Sequence, residues 1–162
     1  MDYYILNEDS RISNPLTFND YTKDKANKDV VIYETITQKI KFIDYCKRKI
    51  LFDSYHIISD KVKEVMEVFD SDLYFYAVFL TSSDMKHQYV YWEIDPKTMK
   101  AIEIKGVKSI SDYKYKKQDL GEGAFFLIKF EKQEYILMRE DLAESIMKVY
   151  PLNMKFKRVA IV

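Results

Sequence analysis

The stretch HIISDKVKEVMEVFDSDLYFYAVFL, residues 56–80, decides how this chain is expected to fold. It begins like the end of a strand, and its last eight residues are rich in β-formers and too few for a second helix. Between them, apolar residues recur at i, i+3, i+4 and i+7, the spacing of one helical face: Val62, Val65, Met66 and Phe69. Ser59 stands at the expected N-cap, because its hydroxyl can accept from a backbone N–H of the first turn. The stretch predicts a strand, a short amphipathic helix and a second strand.

The same pattern returns 80 residues later in YILMREDLAESIMKVY, residues 135–150. The pairs matched at that offset are Tyr55 with Tyr135, Ile57 with Leu137, Val62 with Leu142, Glu64 with Glu144, and Met66 with Ile146. The residues expected to point inward from the second helix are Leu142, Ile146, Val149 and Tyr150. A helix with one apolar face has to pack on another layer. The chain is therefore predicted to be a single α+β domain over residues 1–162. It should contain mainly antiparallel sheets, two or three short amphipathic helices, and two related strand–helix–strand units around residues 50–80 and 134–161. Internal duplication and chance recurrence explain the echo equally well.

The rest of the chain is read from β-forming runs, turn residues and periodicity. Further strands are predicted at residues 3–6, 30–36 and 154–161. Two hairpins are predicted, one pairing residues 87–94 with 99–104 and the other pairing 124–130 with 134–138. Residues 7–29 and 105–123 are expected to be loops. Residues 36–52 fit either a helix or a strand, and the isoleucine spacing favours a helix over 36–47.

The amino-acid composition limits which kinds of function and partner are expected. Hydrophobic residues make up 48% of the 162 residues and aromatic residues 15%, which is enough for a sizeable core. The 26 basic and 26 acidic residues cancel, so no overall field attracts nucleic acid or anionic lipid. The single Cys46 excludes an internal disulfide. Without a signal peptide or an apolar run of about 18 residues, the expected location is cytoplasmic and no membrane partner is expected.

No group of residues declares a catalytic or metal centre. A Cys46–His56 pair is conceivable but rare, and His87 has no ligand-like spacing to its neighbouring carboxylates. The basic, aromatic stretch at residues 39–49 could bind single-stranded nucleic acid, or it could be a solvated face in a lysine-rich chain. From these residues no cofactor and no metal are expected, and nucleic acid is an improbable partner.

Tyrosine is the remaining anomaly in the sequence. Tyr89 and Tyr91 share the less apolar face of a predicted strand, and Tyr113 and Tyr115 lie in a polar segment. Because tyrosine offers a large rigid area with a polar tip, these four are the candidate partner-binding residues. The alternative is that they are covered by other elements and belong to the core.

The opening YYIL, the unit YHIISDKVKEVMEVF with its strand LYFYAVFL, and the closing YILMREDLAESIMKV and MKFKRVAI resemble a family of bacterial immunity proteins of polymorphic toxin systems. The resemblance covers about half of the chain. It implies a non-enzymatic cytoplasmic inhibitor that binds and neutralises a cognate toxin protein, with no catalytic residues to carry over. Two other classes stay open from the residues alone: a small enzyme that uses a histidine and carboxylates, and a nucleic-acid-associated accessory protein.

Overall fold

The structure, a computed structural model, describes residues 1–162. The strands are β1 Tyr3–Asn7, β2 Val30–Glu34, β3 Tyr45–Ile50, β4 Asp53–Ser59, β5 Phe75–Ser82, β6 Gln88–Ile94, β7 Lys100–Ile104, β8 Lys114–Tyr115, β9 Phe125–Phe130, β10 Gln133–Arg139, β11 Lys155–Arg158 and β12 Ala160–Ile161. The α-helices are α1 Asp60–Phe69, α2 Lys117–Leu120 and α3 Glu140–Met147. None of them is long and apolar enough to cross a membrane.

Ten strands form two five-stranded sheets. The first has the order β2-β5-β6-β4-β3 and the second β11-β1-β10-β9-β7, while β8 and β12 form a separate pair. Neighbours are antiparallel except in the pairs β2–β5, β7–β9 and β8–β12. The predicted α+β class with mainly antiparallel sheets and short helices is confirmed.

Each of the two predicted units contributes strands to one of the two five-stranded sheets. The hairpin β3–β4 and the hairpin β9–β10 have bounds that differ by 80 residues at all four ends. Each hairpin leads into a helix, α1 or α3, and then into a strand, β5 or β11. In the first sheet β6 lies between β4 and β5 of the unit, and in the second sheet β1 lies between β10 and β11. The two sheets are therefore built from units of the same strand–strand–helix–strand order, and β1, the first strand in the sequence, is inserted into the second unit.

The helices and the inner faces of both sheets share one core. This central cluster includes Met66 of α1, Ile146 of α3, Ile58 of the first sheet and Ile136 of the second, all fully buried. Side-chain alternation leaves each sheet a second apolar face. On the first sheet that face is covered by the segment 8–29, and on the second by residues that follow β7 and by β12.

The helix predicted over residues 36–47 is wrong. Residues from Tyr45 onward form β3, which pairs with β4 over six residues. The residues before it form turns in which Lys41 exchanges backbone hydrogen bonds with the segment 14–16. Strand pairing with β4 fixes the conformation here, so tertiary contact overrides the helical spacing of the isoleucines.

The hairpin predicted from residues 87–94 and 99–104 is also wrong, although both strands exist. β6 lies in the first sheet, and β7 lies at the edge of the second, parallel to β9. The intervening Pro96–Thr98 forms a 3₁₀ turn in which the Asp95 carboxylate accepts from the backbone N–H of Lys97, 3.0 Å away. This turn carries the chain from one sheet to the other. The predicted loop at 105–123 likewise contains β8 and α2.

Ser59 occupies the N-cap position of α1, as predicted, but its hydroxyl makes no capping hydrogen bond and has no partner. The first turn is held from another direction, since the Trp92 indole N–H donates to the Asp60 carboxylate at 2.9 Å. The position was correctly predicted and the hydrogen bond was not.

Candidate functional site

The four candidate tyrosines do not form one surface. Tyr91 is only 5% exposed and Tyr115 only 1%, so both belong to the core and the partner-binding prediction is wrong for them. Tyr89 is half-buried over the first sheet beside Phe42, and Tyr113 is half-buried over the second beside Tyr115. The physical reason is that the segments predicted as loops fold back and cover the outer faces of both sheets.

The residues considered for nucleophilic catalysis are not brought together. Cys46 lies opposite Ile57 and His56 opposite Lys47 on paired strands, so alternation directs the thiol and the imidazole to opposite faces of the sheet. Burial raises the pKa of the Cys46 thiol to about 12. His87 is exposed, one residue before the start of β6. No three His, Cys, Asp or Glu side chains lie close enough together to hold a metal ion.

The basic stretch 39–49 does not present a single charged face. Lys47 and Arg48 are neighbours on a strand and point to opposite sides of the sheet. The Lys47 ammonium lies 3.9 Å from the centre of the Tyr135 ring, and burial lowers its pKa to about 8. Arg48 donates through Nε to the Tyr21 carbonyl oxygen at 3.2 Å. Both cations are thus engaged within the protein.

The candidate site is a groove on the outer surface of the helical layer, between α1 and the end of α3. It has a volume of about 350 Å³, and its lining residues are Lys61, Glu64, Val65, Val68, Phe69, Ser145 and Val149. The beginning of α1 lies beside the chain just after α3, because Lys61 Nζ donates to the Tyr150 carbonyl oxygen at 3.4 Å. We name this feature the helix groove.

The apolar residues of the helix groove are unusually open to solvent. Val68 of the lining is 83% exposed. Tyr150 and Met147 do not line the groove but lie next to it in the chain, and they are 88% and 43% exposed. The remaining apolar lining residues, Val65, Phe69 and Val149, are half-buried. Single exposed apolar residues are ordinary, but a contiguous set that lines a concave surface is typical of a contact site.

Carboxylates dominate the helices that border the groove. Within α1 and α3 six acidic residues stand against two lysines. Both lysines are engaged: Lys63 with Glu67, and Lys61 with Asp44 at 3.5 Å. Glu64, which lines the groove, and Glu144 on α3 make no ion pair. A neutral chain therefore carries a negative helical layer, while basic residues collect elsewhere, for example on β11.

Tyr150 has a backbone that most residues avoid. Its φ is +50°, in the left-handed region, where a residue with a Cβ is strained by on the order of 1 kcal/mol. This is the position after a helix at which glycine or asparagine is usual. The bulky ring also gains no burial in the fold. The prediction that Tyr150 points inward is wrong, because the chain turns outward before Pro151.

Apolar side chains are exposed at other places too, and two of these places are examples. On the inner face of the first sheet, Val31 and Phe79 are paired neighbours on β2 and β5 and are 42% and 36% exposed. At the turn between β3 and β4, Leu51 is 76% exposed with a φ of +56°. The first place is a sheet face and the second a hairpin tip. The helix groove differs from both places because it combines the exposed Val68 with the unpaired Glu64 carboxylate in a concave surface.

One signal in the sequence could have indicated this surface. Val68 lies six residues after Val62, outside the i, i+3, i+4, i+7 stripe, and so falls on the polar side of the helix. An aliphatic residue there contributes nothing to the core. It could have been recognised as a contact residue before the structure was known.

No protein-family model matches the chain, and no curated protein matches it either. The functional inference consequently rests on the surface and on the residues that form it.

Proposed function

We propose that the chain is a non-enzymatic cytoplasmic binding protein, an immunity-type inhibitor that binds and neutralises a cognate bacterial toxin. The observation that carries this proposal is the helix groove, where the exposed Val68 and the unpaired Glu64 carboxylate lie beside half-buried apolar residues on a firmly packed support. Such a surface can bind a protein with apolar anchors at its centre and charged groups around them.

The support under the groove is rigid. Met66 on the inner side of α1 and Ile146 on the inner side of α3 are fully buried in the core shared by both sheets. Helices anchored in this way do not have to become ordered when a partner binds. Binding energy is therefore not spent on ordering the helices. Strong inhibition by a small interface requires a surface that is preorganised in this way.

The charge of the helical layer suits inhibition of a protein with a basic surface. Unpaired carboxylates accelerate encounter with a positively charged partner and disfavour acidic ones. A toxin whose working surface is basic would be blocked by the partner that neutralises that charge. The resemblance to immunity proteins supports the same conclusion from the sequence.

Recovery of a partner from the source organism tests the proposal. The tagged chain should co-purify with the product of an adjacent gene, and its co-expression should restore growth to cells that produce that product. Failure to recover a neighbour-encoded protein, or recovery without restored growth, would contradict the proposal. A variant with Val68→Asp should purify normally and restore growth less well, because an added carboxylate interrupts the apolar centre of the groove.

A further inference from the structure

We infer that the helix groove receives an amphipathic helix whose apolar stripe is flanked by lysine and arginine. This inference rests on the proposed function in one respect: it names the part of the partner that the same surface binds.

The form of the groove favours a helix over an extended segment. Its walls are side chains of α1 and α3, whose backbone groups are bonded within the helices, so no free strand edge is present to add a β-strand. α1 has ten residues and is therefore about 15 Å long, close to three helical turns. A partner helix of that length presents apolar side chains at i, i+3, i+4 and i+7, enough to contact Val65, Val68 and Val149.

The charge around the groove favours basic flanks on that helix. Glu64 lines the groove without an ion-pair partner, and Glu144 is exposed on the neighbouring helix. The only cation in the lining, Lys61, is held by the Asp44 carboxylate and the Tyr150 carbonyl. A lysine or arginine of the partner would meet free carboxylates on both helices, and a glutamate there would meet like charge.

Tyr150 is the expected anchor of the contact. Tyr150 follows Val149 of the lining, and its carbonyl oxygen accepts a hydrogen bond from Lys61 of the lining. Its side chain is almost fully exposed, so no burial in the fold compensates for its strained backbone. Tyrosine is among the residues that contribute most to binding when a partner covers them. The strain is explained if the ring becomes buried against the partner helix.

Two labelled peptides of about 18 residues provide the test. Both carry leucines at the i, i+3, i+4, i+7 spacing, one with lysine and arginine at the remaining positions and the other with glutamate. Fluorescence anisotropy should show that the basic peptide binds the wild-type protein, at least about tenfold more tightly than the acidic one, and that added salt weakens it. Equal binding of the two peptides, or binding of neither, overturns the inference.

A matched pair of variants locates the binding. Tyr150→Asn removes the exposed ring and is expected to weaken the basic peptide roughly tenfold. Leu51→Asn is the control, because Leu51 is similarly exposed, has a similar positive φ, and lies at a distant hairpin tip. Asparagine tolerates this backbone at both positions. The control should bind like the wild type. Equal loss in both variants, or loss in neither, places the peptide outside the groove and overturns the inference.

The two proposals fail in different ways. If a neighbour-encoded toxin is neutralised equally well by the wild type and by Tyr150→Asn, the inhibitor function stands and the groove is not the contact. If the basic peptide binds the groove but no adjacent gene product is recovered, the groove stands and the immunity function fails.

Discussion

His56 should make the stability of the fold depend on pH in a defined window. Its imidazole is fully buried on β4, where Nδ1 lies 2.8 Å from the Tyr45 hydroxyl and Nε2 has no partner. Burial lowers the pKa of His56 to about 3, and the nearby Lys47 ammonium adds to the effect. In the unfolded chain a histidine titrates near ~6.5. Between these values the unfolded chain binds a proton that the folded protein excludes.

The sign and size of the effect follow from that difference. Above about pH 6.5 His56 is neutral in both the folded and the unfolded state, so its titration does not affect the free energy of unfolding. As the pH falls from there towards about 3, only the unfolded chain takes up the proton, and the free energy of unfolding decreases progressively. One pKa unit corresponds to about 1.4 kcal/mol. At pH 5.0 the unfolded state is therefore favoured by roughly 2 kcal/mol relative to pH 7.5, a large share of the 5–15 kcal/mol (order of magnitude) that stabilises most domains.

Urea unfolding at pH 7.5 and 5.0 measures this loss, and comparison of variants removes the contribution of carboxylates. His56→Gln should be less stable at pH 7.5 but should lose about 2 kcal/mol less than the wild type between the two pH values. His87→Gln, at an exposed histidine, should behave like the wild type. If the wild type and His56→Gln lose the same free energy over this interval, His56 is not held neutral by burial and the reasoning is refuted.

Two further predictions concern packing. Met66→Ala should lower the free energy of unfolding by roughly 2–5 kcal/mol, because Met66 is fully buried in the shared core. Val68→Ala on the same helix should change it by less than about 0.5 kcal/mol, because Val68 is exposed. Urea unfolding compares the two variants, and equal losses would contradict the burial of Met66. Gly123→Ala should lower the free energy of unfolding by about 1–3 kcal/mol, because the added Cβ would lie 2.6 Å from Cζ of the buried Phe126 ring. Gly106→Ala has open space around the added Cβ and should lose only about 1 kcal/mol, from the strain of its positive φ. Thermal unfolding that finds Gly106→Ala the less stable of the two would contradict the close packing at Gly123.

The parts of the fold that sequence reasoning predicted are those decided locally. The stripe from Val62 to Phe69 determines α1 by itself, and the turn after Phe130 determines the hairpin β9–β10. The failures occur where a distant partner decides. β3 exists because β4 pairs with it, and β7 joins β9 because a short 3₁₀ turn directs it away from β6. Periodicity within one segment contains no information about such partners.

The candidate site was predictable only in part, for a similar reason. The solvent-facing position of Val68 could be read from the helical period, but the exposure of Tyr150 depends on the path of the chain after α3. The choice of Tyr91 and Tyr115 from the sequence was wrong because polar neighbours such as those of Tyr115 say nothing about what folds over them. A surface made by two helices 80 residues apart becomes visible only when the packing of both is known.

The position of β1 has a consequence for how the chain is made. β6 is flanked by strands that lie close to it in sequence, so the first sheet can assemble once residue 94 has emerged from the ribosome. β1 has to wait for β10 and β11, which are translated roughly 7–30 s after it at typical elongation rates. Throughout that interval Ile5 and Leu6 have no sheet to join. During synthesis the nascent protein thus holds a first sheet whose inner face still lacks the second half of the shared core, together with an unpaired, apolar β1.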